Sequence, residues 1–290
     1  MKVQILLVLL LSSIVAQAQD KKVLSLEDVS ISSAVYPRGL SQLTWIKGSA
    51  NYSYMDREIG IIIKSAKGKE INRLTLEDFT TSGSGLEFAS IPFITWLSPS
   101  TFSFKKDGAI YQGTIGTKLS IKKLIDYDKS GANMEYIHAT KNMSYTKDND
   151  LYVNGKKIND SQKGFVYGQA VHRYEFGISK GTFWSEDGKK VAFYKNDQRQ
   201  VSDYPMINIA PKVAEHVSVK YPMAGQASEI VELGIYNATD GKTIYIKNEN
   251  PGDYLTNITW GPAGKYLYLA VLNRDQNHAK WQKYSTADGS

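Results

Sequence analysis

A weak motif returns along this chain every 40 to 50 residues, and repetition at that period restricts the fold to one supersecondary unit used many times. Leu24-Ser25-Leu26-Glu27-Asp28 is echoed 50 positions later by Leu74-Thr75-Leu76-Glu77-Asp78. Trp45, in LTWIKGSANYSYMD, is matched 51 positions later by Trp96, in ITWLSPSTFSFKKDG. The cadence continues in MSYTKDNDLYVNGKK from Met143, TFWSEDGKKVAFYKND around Trp184 and ITWGPAGKYLYLAVLNRD around Trp260. Each copy holds an apolar or aromatic run, a polar turn with Asp, Asn or Gly, and a second apolar run, which is the pattern of a β-hairpin. Asp187-Gly188 and Asp240-Gly241 suit turns that require positive φ, a conformation glycine adopts without a Cβ clash.

Four-stranded blades around an axis account for the repeat length, for one aromatic per hairpin and for the lack of long amphipathic helices. The expectation is an all-β chain forming a β-propeller, incomplete, with about five blades or parts of blades. Hairpins with Asp-Gly turns also occur in β-sandwiches, so on repeats alone a sandwich or a pair of them stays open. From Trp184 to Trp260 the interval is 76 residues, which predicts one further repeat, hidden or degenerate, within Tyr204–Ile246. Tyr266 to Leu272 is apolar throughout and reads as an inner strand covered on both faces. The 19 Tyr, 5 Trp and 9 Phe favour pleated surfaces. With no cysteine, the core must hold by packing, and thiolate chemistry is excluded.

Lys2, an apolar run from Ile5 to Val15 and Ala16-Gln17-Ala18 form a secretory signal-peptide pattern, so residues 1–18 are expected to be removed and the mature domain to begin at 19. Export, to the periplasm or beyond the cell, follows. That run is too short to span a bilayer, and no later one approaches the ~20 apolar residues required, so a membrane-embedded role is not expected. Without Lys2 the chain carries 34 basic residues against 29 acidic ones, scattered singly or in pairs, which gives no nucleic-acid footprint.

Catalytic and metal motifs are missing. Gly83-Ser84-Gly85 lies in a polar loop with neither the strand before nor the helix after that a nucleophile elbow needs. There is no H-E-x-x-H, no Ca²⁺ loop and no phosphate-cradling glycine pattern, so no cofactor or metal is expected. His172 and Glu175 stand three apart, but their surroundings do not read as a helix. One segment stands out, the Gly-punctuated stretch Val171 to Gly181, which gathers His172, Arg173, Tyr174 and Glu175 just before a blade start. A sheltered Glu175 could accept charge-assisted hydrogen bonds from an amine. On composition alone, an exposed Glu175 paired with Arg173 or Lys180 is the favoured reading, contributing ~0–1 kcal/mol.

VHRYEFGISKGTFWSEDGKKVAFYKND, VSDYPMINI, VKYPMAGQA and YLTNITWGPAGKYLYLAVLNRDQN, in that order, resemble the N-terminal β-propeller of dipeptidyl peptidase IV and its bacterial relatives in the prolyl oligopeptidase family. LTLEDF and GLSQLTWIKG are similar to the same family's first blades, so the resemblance covers residues 19–290. It implies an eight-bladed architecture, of which this chain holds about five blades, capping a C-terminal α/β-hydrolase domain that lies beyond Ser290. The catalytic Ser, Asp and His belong to that domain, so no catalytic residue is expected here. The partners implied are peptide N-termini with Pro or Ala in the second position, and a homodimer. By the same resemblance Glu175 is the residue expected to bind the peptide's free α-amine, with Arg173 and Tyr174 as substrate-contact neighbours. Many members carry two adjacent glutamates there, whereas Tyr174 precedes Glu175 here, which leaves a prolyl tripeptidyl relative open. A free-standing exported propeller that only binds is the other alternative.

Overall fold

The computed structural model describes residues 23–30 and 39–290; the expected signal peptide, 1–18, lies outside them. The chain divides into two compact units, one ending at Asp126 and one starting at Tyr127. Both are built from antiparallel sheets, the blades of a β-propeller, in which the strands follow one another in sequence except where one blade of the second unit is interrupted. Among the described residues there is one short α-helix.

In the first unit, β1 (Ser41–Trp45), β2 (Asn51–Asp56), β3 (Gly60–Ser65) and β4 (Glu70–Leu74) form one blade. The helix α1 (Leu76–Thr80) leads to the next, β5 (Ile94–Ser98), β6 (Thr101–Lys106), β7 (Ala109–Ile115) and β8 (Leu119–Asp126). α1 starts in a capping box, with Thr75 Oγ1 accepting from the Asp78 N–H and the Asp78 carboxylate accepting from the Thr75 N–H. Ser25 and Asp28 make the same reciprocal pair of bonds. The Leu-x-Leu-Glu-Asp echo is therefore a repeated turn starter and not a strand. Phe79 on α1 is fully buried and meets Phe88, Phe102 and Phe104 edge-on or tilted.

In the second unit, β9 (Ala132–Ile137), β10 (Asn142–Lys147), β11 (Asp150–Val153) and β12 (Lys156–Lys157) make a blade. The next joins β13 (Phe165–Tyr167), β14 (Thr182–Trp184) and β15 (Lys190–Asp197) to strands that arrive only after an excursion. That excursion, β16 (Asp203–Asn208) and β17 (Glu215–Lys220), is a two-stranded ribbon exposed along its whole length. The chain then returns as β18 (Ile230–Asn237) and β19 (Thr243–Tyr245) to complete the blade. The long interval between Trp184 and Trp260 thus comes from a ribbon inserted inside one blade, not from a hidden repeat. A last sheet holds β20 (Tyr254–Trp260), β21 (Tyr266–Leu272) and β22 (Ala279–Ser285). β21 is central in it, but only Leu267 and Leu269 to Val271 are buried; Tyr266 and Tyr268 are more than a third exposed, so one face of its first half meets solvent.

Both Asp-Gly dipeptides occupy hairpin turns, Gly188 between β14 and β15 at φ 65° and Gly241 between β18 and β19 at φ 75°. The repeated tryptophans fasten one blade to another. Trp96 Nε1 donates to Ser53 Oγ at 2.8 Å, Trp184 Nε1 to Ser144 Oγ at 2.9 Å, and Trp260 Nε1 to the Phe183 carbonyl at 2.9 Å. Trp45, the first of the series, is 66% exposed and rests edge-on against Tyr52. A second repeated device fills the blade interior, where Phe102 faces Gly113 across β6 and β7, and Phe193 faces Gly234 across β15 and β18. In both, the ring lies over the glycine, where a side chain would otherwise stand.

Two outcomes follow from these contacts. Ser144→Ala removes the fully buried hydroxyl that accepts from the half-buried Trp184 indole, and chemical denaturation should show a loss of about 1 kcal/mol. A Cβ at position 234 would stand 2.5 Å from a Phe193 ring carbon, so Gly234→Ala should destabilise by about 1–3 kcal/mol through overpacking, read in the same way.

Candidate functional site

The stretch singled out in the sequence is anchored at both ends and strained between them. Val171 and Ile178, 3% and 5% exposed, belong to one core cluster with β15, β18 and β21 residues. Between them the backbone turns left-handed, with φ 51° at His172, 53° at Arg173, 63° at Tyr174 and 56° at Phe176. Each non-glycine residue there costs about 1–2 kcal/mol. Several contacts offset that strain. Tyr174 N–H donates to the Val171 carbonyl at 3.2 Å, Glu175 N–H to that of His172 at 3.0 Å, and Thr256 Oγ1 to that of Phe176 at 2.9 Å. Tyr254, the first residue of β20, serves as a common platform. The His172 ring meets it edge-on at 4.9 Å, the Phe176 ring tilted at 4.8 Å, and the Arg274 guanidinium lies 4.5 Å from its centre.

A cavity of about 220 Å³ opens beside this turn. Its walls are His172, Arg173 and Glu175 from the turn, Pro222 to Glu229 in part from the segment that returns from the ribbon, Tyr254 from β20, and Arg274 from the loop after β21. Two of the three expected site residues are therefore brought together at one cavity. Tyr174 is not among the lining residues and is 71% exposed. The Glu175 side chain is 47% exposed, and its Oε1 accepts from Arg173 Nη2 at 3.2 Å. Lys180, the other cation considered for it, pairs instead with Glu135 at 2.6 Å.

Deeper in the same cavity is a carboxylate that the sequence reading missed. The Glu229 side chain is 10% exposed; its Oε2 accepts from Ser228 Oγ at 3.1 Å, and its Oε1 stands 3.7 Å from His172 Nδ1. That last separation is an ion-pair distance and too long for a hydrogen bond, and neither ring nitrogen of His172 has a hydrogen-bond partner. The imidazole beside it is the main influence holding the Glu229 carboxyl down to about 2, against the upward push of burial. Glu229 is thus ionised throughout the physiological range. Nothing in its local sequence, Ser228-Glu229-Ile230, marks it, since it lies 54 positions from Glu175 and only the return from the ribbon brings it to the turn. Arg274, in the LNRDQN stretch that ends the resembling segments, also stands in the cavity wall. His172, weighed with Glu175 as a metal-ligand pair, is buried while Glu175 is half exposed.

The comparisons agree with this architecture. The sequence profile of the family described as "Dipeptidyl peptidase IV (DPP IV) N-terminal region" matches residues 108–290. The solved "putative dipeptidyl aminopeptidase IV" of Bacteroides ovatus is 34% identical with a TM-score of 0.79, over 93% of this chain and 39% of that one. Dipeptidyl peptidase 4 of Porphyromonas gingivalis, at 19% identity and a TM-score of 0.70 over 92% of this chain, shares the fold. Among curated proteins, the "Probable dipeptidyl-aminopeptidase B" of Phaeosphaeria nodorum is 24% identical over 92% of this chain and 34% of its own length. The class is thus a peptidase-associated β-propeller. The chain belongs to the dipeptidyl peptidase IV N-terminal region family, and it spans about a third of the length of that curated relative.

The depressed Glu229 carboxyl fixes a pH dependence. A group that titrates near 2 when folded, and at the ordinary 4.5 when unfolded, adds stability that is complete above about 4.5 and is lost as pH falls towards 2. The stability difference between the wild type and Glu229→Gln should therefore be level above about pH 5 and shrink steadily below it. Urea denaturation at a series of pH values measures this, and a difference still level at pH 3 would contradict an ionised Glu229 held by the fold.

Proposed function

We propose that this chain is the propeller part of an exported post-proline dipeptidyl peptidase, where it shapes the substrate cavity and anchors the free α-amine of the peptide. Bond cleavage belongs to the hydrolase domain of such enzymes. The observation that carries the reading is the cavity beside the left-handed turn, with Glu175 of the HRYEFG motif in its wall. Membership of the family supports the peptidase assignment. The signal-peptide pattern at the N-terminus supports export.

A carboxylate that meets a peptide's ammonium selects free ends over internal segments. When a peptide bond or a blocked amine takes the ammonium's place, the carboxylate loses its charged partner, at about 1–3 kcal/mol or more. The substrates are peptides with a free N-terminus and Pro or Ala in the second position. Glu175 reaches the ligand from a turn whose ends are fixed in the core, so its backbone is placed in advance of binding. Arg173, now its partner at 3.2 Å, must yield to the incoming ammonium or turn towards a substrate carbonyl.

In the full-length gene product, Glu175→Gln should lower kcat/KM for the para-nitroanilide of Ala-Pro by about tenfold or more, while an N-acetylated analogue, already poor, should change little. Steady-state kinetics on both substrates gives the comparison. Equal loss on the two would show that the substitution damages the protein rather than an amine contact.

A further inference from the structure

We infer that Glu229, backed by His172, is a second ammonium-binding carboxylate in this cavity and sets the preference for a free amine together with Glu175. This rests on the amine-anchoring reading above and adds a residue to it. Glu229 and Glu175 line the same 220 Å³ space yet reach it from different parts of the chain, one at the start of β18 and one from the left-handed turn. Their electrostatic situations differ. Glu175 is half exposed and already neutralised by Arg173, so solvent and a guanidinium compete with any ligand for it. Glu229 is nine-tenths buried, and among the described residues no Lys or Arg lies within ion-pair distance of it; one hydroxyl and the His172 ring, at 3.7 Å, stand beside it.

The carboxylate there has one hydroxyl and the His172 ring beside it and acceptor lone pairs to spare, so an ammonium that enters the cavity can add charge-assisted hydrogen bonds to it. His172 points the same way. Its side chain is 2% exposed, it lines the cavity, and neither ring nitrogen has a hydrogen-bond partner. Unsatisfied polar atoms at that depth are rare in folded proteins and mark places where a ligand or water completes the bonding. The other charged wall residue, Arg274, is held over Tyr254. A peptide N-terminus offers three N–H donors and a positive charge, which suits two carboxylates that line one cavity.

Calorimetric titration of the full-length gene product with the dipeptide Ala-Pro and with N-acetyl-Ala-Pro tests this. The wild type should prefer the free amine by at least about 100-fold, corresponding to two charge-assisted contacts. Glu229→Gln should reduce that preference at least about tenfold, and the double variant Glu175→Gln/Glu229→Gln should abolish it. If the wild type shows no preference, the amine-anchoring reading itself fails. If the wild type and Glu175→Gln behave as expected but Glu229→Gln keeps the full preference, only the role of Glu229 is overturned. Should Glu229→Gln not fold, Glu229→Asp keeps the charge and withdraws it by one methylene. About a threefold loss of preference is then expected, and binding identical to wild type would overturn the assignment.

Discussion

An indole N–H turned in between two sheets needs an acceptor, and three of the repeated tryptophans find it on the neighbouring blade. That requirement organises the packing within each unit. Trp96 finds Ser53 and Trp184 finds Ser144, hydroxyls on the second strand of the blade before, both almost wholly buried. Trp260 meets the Phe183 carbonyl, and Tyr194 returns the link by donating to the Leu255 carbonyl at 2.8 Å. Apolar faces alone would let one sheet slide over the next at little energetic difference. A hydrogen bond in a dry interface does not, because every displaced register leaves a donor unsatisfied. The blade interface is thereby fixed, and the loops that emerge from it are fixed as well.

The left-handed turn depends on that rigidity. Three consecutive L-residues in a conformation suited to glycine would relax if either end could move. They cannot, since Val171 and Ile178 are locked in the cluster that joins β15 and β18 to β21. Tyr254 then holds the middle of the turn through His172 and Phe176. A strained turn of this kind sets side chains in directions that a relaxed loop would not keep. Tyr174 goes out to solvent, while His172, only two residues earlier, goes almost fully inward.

The hairpins were legible because their signal is local. Alternation, Asp-Gly turns and one aromatic per repeat all reside within 20 residues or so, and the structure places strands on every copy. The ribbon was misread because an inserted hairpin has the same alternation as a blade hairpin, and only burial separates them. EHVSVK looks like a core strand and is exposed at every position. Tyr266 and Tyr268 misled in the opposite sense, since tyrosine serves equally in a core and on a wet face. In the cavity wall, Glu175 and Arg173 are legible because one short segment, with its resemblance, carries both. Glu229, Tyr254 and Arg274 carry no local mark, and the return path after the ribbon and the register of β20 on β21 bring them in. The positive φ at His172, Arg173 and Tyr174 left no trace in residue types, since none of the three is a glycine.

The charge arrangement of the cavity shows why burial, more than the number of acidic residues, decides what it attracts. Two carboxylates and two guanidiniums line it, so formal charge alone predicts no selectivity. The exposed half of that set is internally compensated, with Arg173 on Glu175 and against the Tyr221 ring, and salt and water weaken what is left. Arg274 spreads its charge over the face of Tyr254. Glu229 sits where screening is weaker than at Glu175, and its carboxyl is held near 2, so the negative charge stays in place from about pH 3 up to the pH at which an α-amine loses its proton. The field inside the cavity is therefore set by its deepest acidic group. A cation that reaches Glu229 gains most of its electrostatic attraction only after it has shed water, which is the condition under which a charged amine and a blocked one differ most.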